Sequence, residues 1–182
     1  YEVLTFFVQC RFNFLHRLFA GIPIGFFSFA WIVFVISSKF QITTKLSVFP
    51  IALLTVAGAY MHHCNNKISG KKLYLIQIHA LQLFVYIVFG IFYVYLIDKS
   101  MLSNDYRVRG AAYGDLPFHI NIVTSFAYGT NNIRNGLYDI NSSFYANEKL
   151  AYPIITNFFT GALMGTGKST LRIALFLPSA LI

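Results

Sequence analysis

Two residues able to take part in proton transfer lie close together in the segment GDLPFHINIVTSFAYG, residues 114–129. Asp115 stands near its start, and His119 follows four positions later, a spacing that puts both side chains on one side of a helix. The carboxylate has two interpretations. Asp115 caps a helix by accepting hydrogen bonds from backbone N–H groups, or it acts as a general base that takes a proton from a hydroxyl group.

A single amphipathic helix would position this pair. Apolar residues recur at helical spacing along one face: Leu116, Ile120, Val123 and Ala127. Pro117 suits the first turn of a helix, and Gly129 suits the residue just beyond the end. The pattern therefore predicts an amphipathic helix that begins after Asp115 and stops before Gly129.

The composition of the chain places this helix in a membrane protein. Of 182 residues, 57% are hydrophobic and 11% are charged, whereas a soluble domain carries about 25% charged residues. The net charge of +8 comes from basic residues that flank apolar segments, so we expect a topological role and no nucleic-acid partner. We also expect this sequence to be the N-terminal part of a longer chain, since it starts without Met and stops inside an apolar run.

Five apolar segments are candidates for membrane spans, each of which needs about 20 apolar residues. They cover residues 19–37, 43–61, 73–97, 151–165 and 173 onward. The predicted fold class is an all-α membrane protein, a polytopic bundle of about five transmembrane helices with one large non-cytoplasmic loop that carries the amphipathic helix.

Three regions follow from this assignment. Residues 1–97 hold an N-terminal segment and the first three spans, residues 98–150 form the loop, and residues 151–182 hold two further spans. Basic residues flank one set of span ends: Arg11, Arg17, Lys67, Lys71, Lys72, Lys168 and Arg172. Because basic residues favour the cytoplasmic side, we expect the loop on the non-cytoplasmic face of the endoplasmic reticulum or plasma membrane.

The segment GALMGTGKST, residues 161–170, has the composition of a phosphate-binding loop but not its spacing. Such a loop needs a glycine five positions before Gly167, and that position holds Ala162. We therefore expect no nucleotide at Lys168, and we interpret residues 165–170 as a tight cytoplasmic turn between two spans.

The densest group of possible metal ligands is His62, His63 and Cys64. Adjacent ligands on one short loop rarely close a metal site. The sequence therefore predicts no metal site, and it names no cofactor.

The loop resembles the first non-cytoplasmic loop of the GT-C glycosyltransferases that use polyprenyl-phosphate sugars, a group that includes protein O-mannosyltransferases and lipid A aminoarabinose transferases. In that pattern an acidic residue opens an amphipathic helix, a His or Tyr follows about a turn later, and a glycine closes it. Asp115, His119 and Gly129 match these positions. Downstream, LAYP (residues 150–153), GKSTLR (residues 167–172) and LPSAL (residues 177–181) are similar to later family motifs.

The resemblance implies sugar transfer from a polyprenyl-phosphate donor held in the bilayer to an acceptor hydroxyl. Asp115 would be the catalytic base, and His119 would orient the acceptor or Asp115, or alternatively be a solvated loop histidine without a catalytic role. Arg107 and Arg109 would hold the departing lipid phosphate, or alternatively bind anionic membrane lipid. Many relatives carry a second acid where this chain has Leu116. That difference favours the alternative function, a non-catalytic structural subunit that assembles with other subunits of a membrane complex.

Overall fold

The computed structural model describes residues 2, 11–12, 14–67, 73–74, 80–103, 105–108, 114–167 and 169–181. Six helices lie within them: α1 (Phe14–Ile36), α2 (Thr44–Lys67), α3 (Ala80–Ser100), α4 (Leu116–Ala127), α5 (Ile155–Gly167) and α6 (Leu171–Leu181). Two strands of two residues each, β1 (Arg11–Phe12) and β2 (Leu73–Tyr74), pair in parallel. Helices thus make up nearly all of the regular secondary structure in the described part of the chain, in agreement with the predicted all-α class.

Three helices are long and apolar enough to cross a membrane. The apolar stretches run over Arg17–Ile36, Thr44–Asn65 and Ala80–Ser100 and contain 20, 22 and 21 residues. Their side chains are mostly uncovered, and every residue of α3 from position 80 to position 96 is exposed. An apolar helix that protein does not cover needs an apolar solvent, so these helices are compatible with integration into a membrane.

The predicted count of five spans is not confirmed. The segment predicted to span at residues 151–165 instead forms α5, which begins at Ile155 and contains 13 residues, short of the roughly 20 needed to cross. Pro153 contributes to this late start, because the residue before a proline is biased away from the helical conformation. Most of α5 is buried within the protein, which is typical of a core helix. The segment predicted to span from residue 173 onward lies in α6, which contains 11 residues.

Glycines at helical spacing allow α5 to take this central position. A Cβ added at Gly161 would lie 2.8 Å from Phe126 Cβ and 2.9 Å from the Val123 carbonyl oxygen in α4. A Cβ at Gly165 would lie 2.8 Å from Ile42 Cγ2. Two small residues four positions apart let helices approach closely. The prediction of a turn over residues 165–170 was wrong for residues 165–167, which belong to α5. Residues 169 and 170 do lie between α5 and α6 outside any helix, and Lys168 lies outside the described residues.

The start of α6 lies beside the end of α3. The Arg172 guanidinium forms an ion pair with the Asp98 carboxylate, and its Nε donates to the Leu102 carbonyl oxygen at 3.1 Å. Farther along, the Tyr93 hydroxyl donates to the Ser179 carbonyl oxygen at 3.2 Å, so α6 runs back along α3. The sequence had placed Asp98 and Arg172 on opposite sides of a membrane. That assignment was wrong, since two residues in contact occupy the same side.

This contact predicts that residues 148 and 170 face the same compartment. The test places single cysteines at three exposed positions, Glu148, Thr170 and His63, in a background without Cys10 and Cys64. Sealed vesicles that contain each variant are then treated with an impermeant thiol reagent. We expect Glu148 and Thr170 to label from one face and His63 from the other, because α2 would cross between them. Labelling of Glu148 and Thr170 from opposite faces would contradict the observed packing of α6.

A second prediction concerns the close approach at Gly161. Gly161→Ala forces α5 away from α4, and we expect the free energy of unfolding in detergent to fall by about 1–3 kcal/mol. Gly25→Ala in α1 is the matched control, since a Cβ there meets no atom within 4 Å. Alanine at that position should be neutral or slightly stabilising through helix propensity. Equal unfolding free energies for the two variants would mean that the glycine contact does not hold α4 and α5 together.

Candidate functional site

Asp115 lies at the exposed end of α4 and does not cap it. Its backbone is in the helical region (φ −96°, ψ −28°), and its side chain makes no capping hydrogen bond. The capping interpretation is therefore wrong in this structure. Four of the six acidic side chains form ion pairs with basic side chains: Glu2 with Arg17, Asp98 with Arg172, Asp105 with Arg107, and Asp139 with Lys149. Asp115 is an exposed residue and has no such pairing among the described residues.

The helix beneath this carboxylate forms as the sequence predicts. Leu116, Val123 and Ala127 are buried, and Ile120 packs against the cluster that contains Leu116. Pro117 stands in the first turn, and the Gly129 N–H donates to the carbonyl oxygens of Thr124 and Ser125 just beyond the helix end. Burial of one face against α5 and α6 fixes the direction in which α4 presents Asp115.

His119 is held by α5 and not by Asp115. Its Nδ1 lies 3.0 Å from Oδ1 of Asn157, and Asn157 is 5% exposed. The link to Asp115 is a backbone one, in which the His119 N–H donates to the Asp115 carbonyl oxygen at 3.1 Å. Which of Nδ1 and the Asn157 amide group donates depends on the imidazole tautomer. The contact fixes the position of the imidazole against α5.

Arg107 lies on a short loop next to the start of α4. Its side chain is 84% exposed, and Nε lies 2.9 Å from Oδ2 of Asp105. The following residue, Val108, packs against the apolar cluster that includes Leu116. The loop of Arg107 and the helix end that bears Asp115 therefore share one apolar support. Arg109, the second predicted phosphate ligand, lies outside the described residues.

One buried cation was not predicted from the sequence. Arg134 is 4% exposed. Its Nη1 donates to the Leu137 carbonyl oxygen at 3.0 Å, and its Nη2 donates to the Phe34 carbonyl oxygen and, at 2.8 Å, to Ser37 Oγ. The guanidinium also lies 4.1 Å from the centre of the Phe34 ring. No carboxylate among the described residues pairs with it.

The charge of Arg134 is retained despite this burial. Desolvation by burial lowers the pKa of Arg134 to about 10, so the side chain stays protonated at neutral pH. The unfolded chain holds the same proton below pH 10, so this group adds no pH dependence to stability in the physiological range. Its positive charge lies at the C-terminal end of α1, where the helix dipole favours a cation.

Two asparagines close to Arg134 in the sequence, Asn131 and Asn132, bind this segment to other parts of the chain. Asn132 Nδ2 donates to the carbonyl oxygens of Ile42, Phe126 and Ala127, and its Oδ1 accepts from the Ile42 N–H at 3.1 Å. Asn131 joins Ser125 to the backbone of Asn141. The available sequence signal was the cluster Asn-Asn-Ile-Arg that directly follows the helix end at Gly129. Nothing in that cluster identifies its acceptors, most of which are backbone atoms.

Within the described residues, no group of three or more His, Cys, Asp or Glu side chains is arranged to hold a metal ion. Comparisons with protein-family models, curated proteins and solved structures found no match to this chain. The similarity to GT-C transferases consequently rests on the short motifs alone, and any function has to be argued from the residues of the site.

Proposed function

We propose that this protein is an integral-membrane glycosyltransferase in which Asp115 is the catalytic base. The observation that carries the proposal is the exposure of Asp115 and the lack of a capping hydrogen bond from its side chain. Asp115 also makes no ion pair with another described residue. The helix that presents it packs against α5 and, through Leu171, Ala174 and Leu175, against α6. A base must lie within hydrogen-bond reach of its substrate, and an exposed carboxylate at the end of a packed helix can be reached by one.

The reaction would proceed by direct displacement. The acceptor hydroxyl gives its proton to the Asp115 carboxylate as its oxygen attacks the anomeric carbon of the donor sugar. The bond between that carbon and the phosphate oxygen breaks, and the polyprenyl phosphate leaves with the electron pair. The anomeric configuration is inverted. A positioned base contributes a factor of about 10²–10⁴ to the rate of such a step.

The neighbouring residues support this assignment. Arg107 is engaged by one exposed ion pair with Asp105, and exposed pairs contribute only about 0–1 kcal/mol, so a lipid phosphate can replace the carboxylate. His119 is held through Nδ1 by Asn157, which leaves Nε2 for a hydrogen bond with the acceptor. The uncovered apolar surface of α3 ends close to this region and offers the polyprenyl chain a place within the membrane.

A second candidate is a non-catalytic subunit of a membrane complex. The exposed residues of α3 favour it, because the surface that suits lipid also suits another transmembrane helix. The presence of Leu116 where many GT-C relatives have a second acid points the same way. Transfer activity separates the two candidates, because a structural subunit has none of its own.

The decisive variant is Asp115→Asn, which keeps the size of the side chain and removes the base. Purified full-length protein is to be assayed for transfer from a panel of polyprenyl-phosphate hexoses. We expect the rate to fall by at least about 10². Glu148→Gln is the matched control, because Glu148 is also an exposed carboxylate with no described ion pair. Undiminished transfer by Asp115→Asn would remove Asp115 from the mechanism, and the absence of any transfer by the unmodified protein would favour the structural subunit.

A further inference from the structure

A cleft of about 550 Å³ lies between α4 and the turn formed by residues 142–146. Asn121, Thr124 and Tyr128 line it from the helix. His119 precedes Asn121 by two positions, which is about 200° around a helix at 100° per residue. The cleft and the predicted catalytic pair are therefore on different faces of α4, and neither Asp115 nor His119 lines the cleft.

Hydrogen bonds fix the two walls of the cleft relative to each other. Asn131 Nδ2 donates to Ser125 Oγ at 3.0 Å on the helix side and to the Asn141 carbonyl oxygen at 2.8 Å on the turn side. Its Oδ1 accepts from the Asn141 N–H at 2.7 Å. The Phe118 and Phe144 rings stack with their centres 4.8 Å apart. The opening is thus already formed, so a ligand meets little ordering cost there.

The turn itself is held in shape by a side chain. Ser142 Oγ accepts hydrogen bonds from the backbone N–H groups of Phe144 and Tyr145 at 3.2 and 3.1 Å. The Ser142 N–H donates to the Glu148 carbonyl oxygen at 2.8 Å. These bonds fix the backbone that presents Ser143 and Tyr145 to the cleft.

The lining has the chemistry of a site for an uncharged, hydroxyl-rich molecule. No side chain that lines it carries a charge. Asn121 and Thr124 offer amide and hydroxyl groups. Tyr128 and Tyr145 are 68% and 71% exposed, so aromatic surface is available beside these polar groups.

We propose that this cleft binds a neutral saccharide. A sugar ring has hydroxyl groups for the amide and hydroxyl side chains and an apolar C–H surface for the tyrosine rings. A phosphate or carboxylate ligand would find no cation in the lining, and a metal ion would find no carboxylate. The inference does not depend on catalysis by Asp115, because the cleft is separate from that residue.

The test measures saccharide binding directly. Full-length protein in lipid nanodiscs, which avoid sugar-based detergents, is to be titrated by saturation-transfer NMR with methyl mannoside, methyl glucoside, N-acetylglucosamine and, as a charged comparator, glucuronate. At least one neutral sugar should bind saturably and more tightly than glucuronate. Replacing both tyrosines, Tyr128→Ala with Tyr145→Ala, should raise its Kd by about tenfold. Both residues are exposed, so the fold should tolerate the change.

Tyr138→Ala is the matched control, since Tyr138 is 80% exposed and does not line the cleft. It should leave the Kd unchanged. Three results would overturn the proposal: no binding of any neutral sugar, equal binding by the double variant, or tighter binding of glucuronate. Because transfer is assayed separately, saccharide binding without transfer would leave the cleft standing and remove the catalytic proposal. Transfer activity without saccharide binding at the cleft would leave the catalytic proposal standing and remove the proposal that the cleft binds a saccharide.

Discussion

The segment that follows α4 is tied to the C-terminal end of α1 by Arg134. The last carbonyl oxygens of a helix have no partner in the regular helical pattern. Here those of Val33, Val35 and Ile36 accept hydrogen bonds from the N–H groups of residues 37–40, and that of Phe34 accepts from side chains, one of them Arg134. The Arg134 side chain donates to the Phe34 carbonyl oxygen and to Ser37 Oγ, and its backbone N–H donates to the Ser37 carbonyl oxygen at 3.2 Å. A buried cation is costly unless such bonds surround it. Movement of the segment that follows α4 away from α1 would therefore break these bonds and leave the guanidinium with fewer partners.

Much of the arrangement around the candidate site depends on this attachment. Asn132 continues it to Ile42 at the start of α2, and Asn131 continues it to the turn at Asn141. With these points fixed, α4 and α5 pack closely at Gly161, and the exposed end of α4 presents Asp115. The polar groups that could act on a substrate thus rest on a buried framework, while the long helices expose apolar surface. That combination is compatible with both proposed functions, the membrane glycosyltransferase and the non-catalytic subunit of a membrane complex.

The sequence predicts the helices of this fold better than the tertiary contacts between them. The amphipathic helix is correct because the apolar period, Pro117 and Gly129 all indicate it, and the three long helices follow from composition. The role of α5 was missed because the glycine spacing that permits close helix packing also resembles a turn. The partners of Arg134 could not be predicted, since one acceptor is a backbone oxygen 100 residues earlier. The contact between Asp98 and Arg172 was likewise inaccessible, because the charge rule assigns sides from flanking residues and ignores tertiary pairing.

The central claim, that the buried Arg134 holds residues 131–150 against α1, is tested most directly by hydrogen exchange in the Arg134→Met variant. Methionine keeps much of the side-chain length and loses all donors. Exchange in the backbone of residues 131–150 should accelerate by about tenfold or more, corresponding to a loss of about 1.4 kcal/mol or more in local opening free energy. Arg107→Met, which alters an exposed arginine, should leave the same amides unchanged. Equal exchange in residues 131–150 for the two variants and the unmodified protein would contradict the claim.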